Sequence, residues 1–256
     1  MADDILHLAR LAKGFDGVPV LKGISADVYR GDVVGLLGLN GAGKTTLLET
    51  ALGFAVPDEG SVELFGQPSS ALADENLKHR IGFVPQQDEL LEQVKGSEYL
   101  SLISKFYPRW NADLIRRLAS DWDVPLGVRI YKLSVGQRQK LSILTALGHE
   151  PELIVLDEPV ASLDPLARRK FLQELIDIVS DGRRTILFST HIVSDLERIA
   201  SRVWILKGGQ LLVDEPLDTL KEVSRPVQAA GGGALPAGAR IDPGMSLEEI
   251  FLELHR

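Results

Sequence analysis

Residues 38–45 read Gly38-Leu39-Asn40-Gly41-Ala42-Gly43-Lys44-Thr45, with Thr46 next. The spacing fits GxxxxGK[ST], a loop that wraps phosphates. Its glycines let backbone N–H groups point inward, and a helix opening at Lys44 adds the positive end of a dipole. Lys44 can reach the β- and γ-phosphates of a nucleotide, and Thr45 can offer its hydroxyl to Mg²⁺. A second group completes the chemistry. Residues 153–159 read LIVLDEP, an apolar run that delivers two adjacent carboxylates at its C-terminal end. Alternation along a strand would send Asp157 and Glu158 to opposite faces and so to different tasks. Asp157 can hold Mg²⁺ through water, and Glu158 can orient and polarise an attacking water.

These residues need a frame. DVVGLL (32–37) is a short apolar run of the kind a buried parallel strand gives, and TTLLETAL after the glycines is a helical stretch closed by Gly53. Residues 1–35 read as short strands with turns. Strand-like pieces recur at 81–84, 152–156, 185–189, 202–206 and 210–213, the last two flanking a Gly208-Gly209 hairpin signal. Between Pro165 and Ser180, residues Leu172, Leu175, Ile176 and Val179 mark one apolar helix face. Residues 88–150 lack strand patterns and are helical in character. The expected fold is α/β: a mainly parallel sheet with flanking helices, an antiparallel β region at the N-terminus, and a helical insertion at about 88–150. Residues 224–244, rich in Gly, Ala and Pro, read as a linker. Ser246 with Glu249 resembles a capping box for a C-terminal helix within 245–256, with Leu247, Ile250, Phe251 and Leu254 on one face.

Composition narrows the classes. The chain has 256 residues, 36 Asp+Glu against 28 Lys+Arg, and a formal charge of −8. That balance argues against nucleic-acid binding by bulk charge. With no Cys there is no disulfide, thiolate nucleophile or thiolate zinc site. No apolar run reaches the roughly 18 residues of a membrane helix. The opening MADDILHLAR carries acids where a signal peptide has bases, so a soluble, cytosolic chain is expected. The histidines His7, His79, His149 and His255 have no partners at ligand spacing and receive no role.

Residues 133–140 read LSVGQRQK, between the phosphate loop and the LIVLDEP strand. With both motifs in this order, the chain resembles the ATP-binding cassette (ABC) ATPases over about residues 5–220. The resemblance implies a cassette domain over 1–223 that binds ATP with Mg²⁺ and hydrolyses it. Ser134, Val135, Gly136 and Gln137 then form the signature site, which serves ATP held by a second ABC subunit, most simply an identical chain. Val135 stands where the family usually has glycine. Gln86, in FVPQQ, corresponds to the glutamine that links Mg²⁺ and the attacking water to the helical insertion. Gln87 competes with it, and Pro85 favours Gln86. Asp164, in Ser162-Leu163-Asp164, corresponds to the loop that crosses the dimer interface; it is also a good helix cap before Pro165. His191 corresponds to the histidine that contacts the γ-phosphate. Phe15 corresponds to the aromatic that stacks on adenine, with Tyr29 as a weaker rival.

The stretches 106–111 (FYPRWN) and SLEEIFLEL resemble single-domain subunits that dock on separate membrane permeases. The compact region between Gly53 and Gln86 resembles the exporter group that includes antibiotic-resistance subunits. The implied place is the cytoplasmic face of a membrane, with a permease helix docked near 86–107. Phe106, Tyr107 and Trp110 belong either to local core packing or to that docking groove. Arg168-Arg169-Lys170 reads as a solvated helix face. The rival reading, from another class, is a soluble ABC ATPase acting on a protein assembly.

Overall fold

The computed structural model describes residues 4–69, 75–87, 89–161, 163–180, 182, 184–221 and 244–255. Two long strands, β1 (Asp4–Phe15) and β2 (Val18–Tyr29), open the chain, followed by β3 (Val33–Leu37) and helix α1 (Lys44–Ala51). Next come β4 (Glu59–Leu64), β5 (Gln67–Pro68), α2 (Glu75–Lys78) and β6 (Ile81–Val84). Helices α3 (Gly96–Ile103), α4 (Ala112–Asp121) and α5 (Val135–Leu147) separate β6 from β7 (Leu153–Leu156). The remainder is α6 (Pro165–Val179), β8 (Thr185–Thr190), α7 (Val193–Ile199), β9 (Arg202–Lys207), β10 (Gln210–Pro216), α8 (Leu217–Lys221) and α9 (Leu247–His255).

The strands form two sheets. One is antiparallel with order β2-β1-β4-β5. The other runs β10-β9-β3-β8-β7-β6 and is parallel except for β10. This is the mixed architecture the sequence predicts. Every residue of β3 and β7 is buried because both faces of the parallel sheet are covered. Val33, Leu37, Ile154 and Leu156 join the apolar layer beneath α5, α6, α7 and α9. Val34, Leu36, Leu153 and Val155 join the layer shared with α1 and the antiparallel sheet. On α6 the buried set is Phe171, Leu172, Leu175 and Ile178, so the apolar face is turned from the one expected, and Ile176 and Val179 sit at its margin.

One junction places the phosphate loop. Gly208 and Gly209 both take positive φ, 54° and 81°, and turn β9 into β10. A Cβ on Gly209 would fall 1.9 Å from the Val20 carbonyl, while its N–H and carbonyl bond Ala42 and Lys22. The hairpin is thereby stitched to β2 and the loop at once. At the C-terminus, Ser246 and Glu249 form the reciprocal cap of α9, and Leu247, Ile250, Phe251 and Leu254 are buried. Of the 224–244 segment, only Gly244 lies within the described residues.

The aromatic cluster divides. Phe106 is 69% exposed, whereas Tyr107 stacks on His149 at 4.0 Å and Trp110 lies against Gly148. His149 is buried; its Nε2 donates to the Ile81 carbonyl at 3.0 Å. Burial lowers its pKa to about 4. An unfolded chain therefore takes up a proton near pH 6.5 that the folded chain refuses. Stability from this group is complete above pH 6.5 and is lost as pH falls towards 4, by about 3 kcal/mol in all. His149→Gln keeps a donor for Ile81 and is expected to flatten the acid limb. Urea melts at pH 7 and 4.5 read the difference; parallel pH dependence in the two proteins would contradict it.

Candidate functional site

The loop 38–43 leaves the C-terminal end of β3, where a parallel sheet opens its crevice, and enters α1. Gly41 and Gly43 take positive φ, and a Cβ on Gly38 would lie 2.7 Å from the Leu206 carbonyl. Among the described residues no side chain caps α1, so the N–H groups of its first turn are left for an anion. They face a cavity of about 320 Å³ walled by Asn40, Lys44, Thr45, Thr46, Gln86 and Glu158, with Val20 beside them. Leu39 stands out from the loop, 50% exposed, while Ala42 is buried against the sheet.

Lys44 is buried with its charge satisfied three ways. Its Nζ donates to the carbonyls of Gly38 (2.8 Å) and Leu39 (3.3 Å) and lies 3.1 Å from Glu158 Oε1. The other Glu158 oxygen is 2.9 Å from His191 Nδ1. Asp157 accepts from the Thr45 hydroxyl at 2.6 Å and from the Ser189 hydroxyl. Asp157 is 1% and Glu158 5% exposed. Both carboxylates reach this one cluster although alternation predicts opposite faces. The strand ends at Leu156, and Glu158 adopts a left-handed backbone with φ 49°, which turns its side chain toward Lys44 and His191. Such a conformation costs a non-glycine residue about 1–3 kcal/mol and gathers at functional sites. The two acids nonetheless keep separate partners: Thr45 and Ser189 for one, Lys44 and His191 for the other.

Ser189 is the residue the sequence reading passes over. It is fully buried, donates to Asp157 and accepts the Glu158 N–H at 2.8 Å, so one hydroxyl on β8 orients both acids. Its only signal is a Ser-Thr pair ending an apolar strand. The Thr45 hydroxyl, the Asp157 carboxylate and the Gln86 amide are hard oxygen donors, the set Mg²⁺ prefers.

The remaining predicted residues lie apart from this cavity. Gln87 is exposed and absent from the wall that Gln86 forms. Phe15 ends β1, 49% exposed, with Lys13 Nζ 5.2 Å from its ring centre. Tyr29 lies at the far end of β2, paired with Asp4. Ser134 caps α5, accepting from the Gln137 N–H at 3.2 Å while Gln137 Oε1 accepts from the Ser134 N–H at 3.0 Å. Val135 beside it is 62% exposed, and Gly136 follows in the first turn. Asp164 caps α6 through the N–H groups of Leu166 and Ala167, both 3.0 Å, with Pro165 at the first helical position. Ser162 lies outside the described residues. His7 faces Asp27 across the antiparallel sheet, which raises its pKa; with the exposed Asp4 they form a half-buried cluster.

Residues 21–161 match the model of the family described as ABC transporter. An uncharacterised ABC transporter ATP-binding protein of Nostoc sp. is 38% identical over 207 residues, covering 78% of this chain and 61% of that relative. The chain thus spans less than two thirds of that relative's length. The Nod factor export ATP-binding protein I of Burkholderia pseudomallei is 33% identical over 215 residues, covering 82% of this chain and 70% of its own. A solved dimeric structure of a bacterial ABC transporter cassette superposes with a TM-score of 0.75 at 25% identity, over 83% of this chain and 98% of that one. Motif, site geometry, fold and relatives agree, and the chain belongs to the ABC transporter family as one of its ATP-binding proteins.

Proposed function

We propose that this chain binds and hydrolyses ATP and uses the cycle to drive export through a separate membrane permease. The cluster of Lys44, Glu158 and His191, with Thr45 and Asp157 beside it, carries this reading. ATP phosphates enter the loop 38–46 and draw Lys44 away from the Gly38 carbonyl and from Glu158. Glu158 then holds an attacking water, steered by His191, which is already at hydrogen-bond distance. Phe15 offers its exposed ring to adenine. Thr45 and Gln86, with Asp157 through water, would hold Mg²⁺, which neutralises developing phosphate charge when bound. Ser134 to Gln137 of one protomer close on the γ-phosphate held by its partner, and Asp164 lies at the shared boundary. Closure excludes water, and release after hydrolysis reopens the pair.

A groove of about 470 Å³ beside the Gln86 segment suits a short permease helix, with Phe54, Phe83, Leu90 and Tyr99 as apolar wall and Glu49 and Glu89 at the rim. Among the described residues no helix is long and apolar enough to cross a membrane. The direction of transport follows the export named for the Burkholderia relative. Affinity isolation from detergent-solubilised membranes of the native host tests the reading. A polytopic membrane protein near one-to-one is the expected companion. A wholly soluble partner set would overturn transport in favour of a protein-assembly ATPase.

A further inference from the structure

The run Arg168-Arg169-Lys170, expected to be a solvated face, is split by the fold. Arg169 and Lys170 are exposed, whereas Arg168 turns inward toward Asp195 on α7. The Arg168 Nε stands 3.7 Å from Asp195 Oδ2. Both atoms are buried and make no hydrogen bond among the described residues. At that distance the charges attract, yet the hydrogen bond is unmade. Burial raises the Asp195 carboxyl from its ordinary value, with Arg168 the foremost opposing influence. The Arg168 side chain is partly exposed, but its Nε and the Asp195 Oδ2 are buried and stand just short of contact, which is costly for both atoms, and a shift of under an ångström satisfies them.

Their places in the chain give that shift a consequence. Arg168 lies in the first turns of α6, the helix that follows Glu158 in the chain. Between them the Ala161 N–H donates to the Glu158 carbonyl (3.2 Å) and the Leu163 N–H to the Val160 carbonyl (3.1 Å). Asp195 lies in the first turn of α7, which follows His191 across a turn held by the Ile192 N–H on the Thr190 hydroxyl (3.0 Å). Glu158 and His191 themselves meet at 2.9 Å. A closed ring results: Glu158, α6, Arg168, Asp195, α7, His191 and back to Glu158.

We propose that Arg168 and Asp195 are a positioning pair that holds His191 against Glu158, and that their gap closes to a hydrogen bond in the hydrolysing state. The inference rests on Glu158 and His191 performing ATP hydrolysis. Neither member of the pair touches substrate. Both act through the two residues that do.

The test is steady-state ATP hydrolysis by the full chain carrying Asp195→Asn, Arg168→Met, both together, and the charge-keeping Arg168→Lys and Asp195→Glu. Each neutralising variant is expected to lower kcat about 10- to 30-fold with the KM for ATP within about twofold. The double variant should fall no further than the worse single one, because both remove one contact. The charge-keeping variants should stand between these and the unaltered chain. A merely structural tie would lower the melting temperature and leave kcat alone at temperatures where each variant is folded. That result, additive losses, or losses confined to KM would overturn the inference. If a neutralising variant does not fold, Arg168→Lys and Asp195→Glu decide: about 3- to 10-fold lower kcat supports the pair, and unaltered kcat overturns it. Absence of hydrolysis in the unaltered chain would instead sink the reading of Glu158, and this inference with it.

Discussion

Glu158→Gln is expected to abolish turnover while leaving ATP bound. The substitution keeps shape and removes the charge that accepts a proton from water, a contribution of about 10²–10⁴ in rate for a positioned base. Binding survives because of where Lys44 stands in the site. Glu158 competes for Lys44, its Oε1 lying 3.1 Å from the ammonium. ATP must break that pair before the lysine can serve phosphate. A neutral amide releases Lys44 at less cost, so the variant should bind ATP at least as tightly as the unaltered chain. Lys44 also keeps its hydrogen bonds to the Gly38 and Leu39 carbonyls, so the fold should change little. If two chains share the ATP sites as proposed, blocking hydrolysis removes the step that reopens the pair. Light scattering with Mg-ATP should report a stable dimer, and a monomer with full ATP occupancy would refute a site shared between two chains.

How much of this was legible beforehand depends on how far apart in the chain the partners lie. The phosphate loop is contiguous, and its glycines, lysine and threonine are read together because one turn uses them together. The LIVLDEP strand is legible for the same reason. The apolar strands 81–84, 185–189 and 202–206 also stand out, since a sheet covered on both faces needs continuous apolar runs. Contacts made across the sheet leave no such trace. Ser189 reaches Asp157 from a neighbouring strand, and nothing in TILFST distinguishes an orienting hydroxyl from a strand end. Arg168 looks like surface beside Arg169 and Lys170 until α7 supplies Asp195. The strand rule misplaced Glu158 because the chain leaves β-geometry one residue earlier and turns left-handed. His149, set aside for lack of ligand partners, proves to be a buried ring joining Tyr107 to the Ile81 carbonyl. In each case a local pattern was sound, and a distant partner decided what the side chain does.

Lys44→Ala is expected to weaken ATP binding about 10- to 100-fold. A buried ammonium making charge-assisted hydrogen bonds to phosphate contributes about 1.5–3 kcal/mol, and each 1.4 kcal/mol is tenfold in affinity. The loop N–H groups remain, so weak triphosphate binding should persist while ATP at ordinary concentrations no longer saturates. The same variant should lose stability without nucleotide. Removing Lys44 leaves the buried Glu158 with His191 as its remaining side-chain partner, at a cost of about 1–3 kcal/mol. The double variant Lys44→Ala with Glu158→Gln separates the two effects. The missing charge is then no longer needed to balance Glu158, so stability should recover while ATP affinity stays low. Titration calorimetry and urea melts on the three proteins read both quantities. Unchanged ATP affinity in Lys44→Ala would remove the loop 38–46 from nucleotide binding. Failure of the double variant to regain stability would show that Glu158 does not depend on Lys44 in the nucleotide-free state, and the competition that ATP must win would not exist.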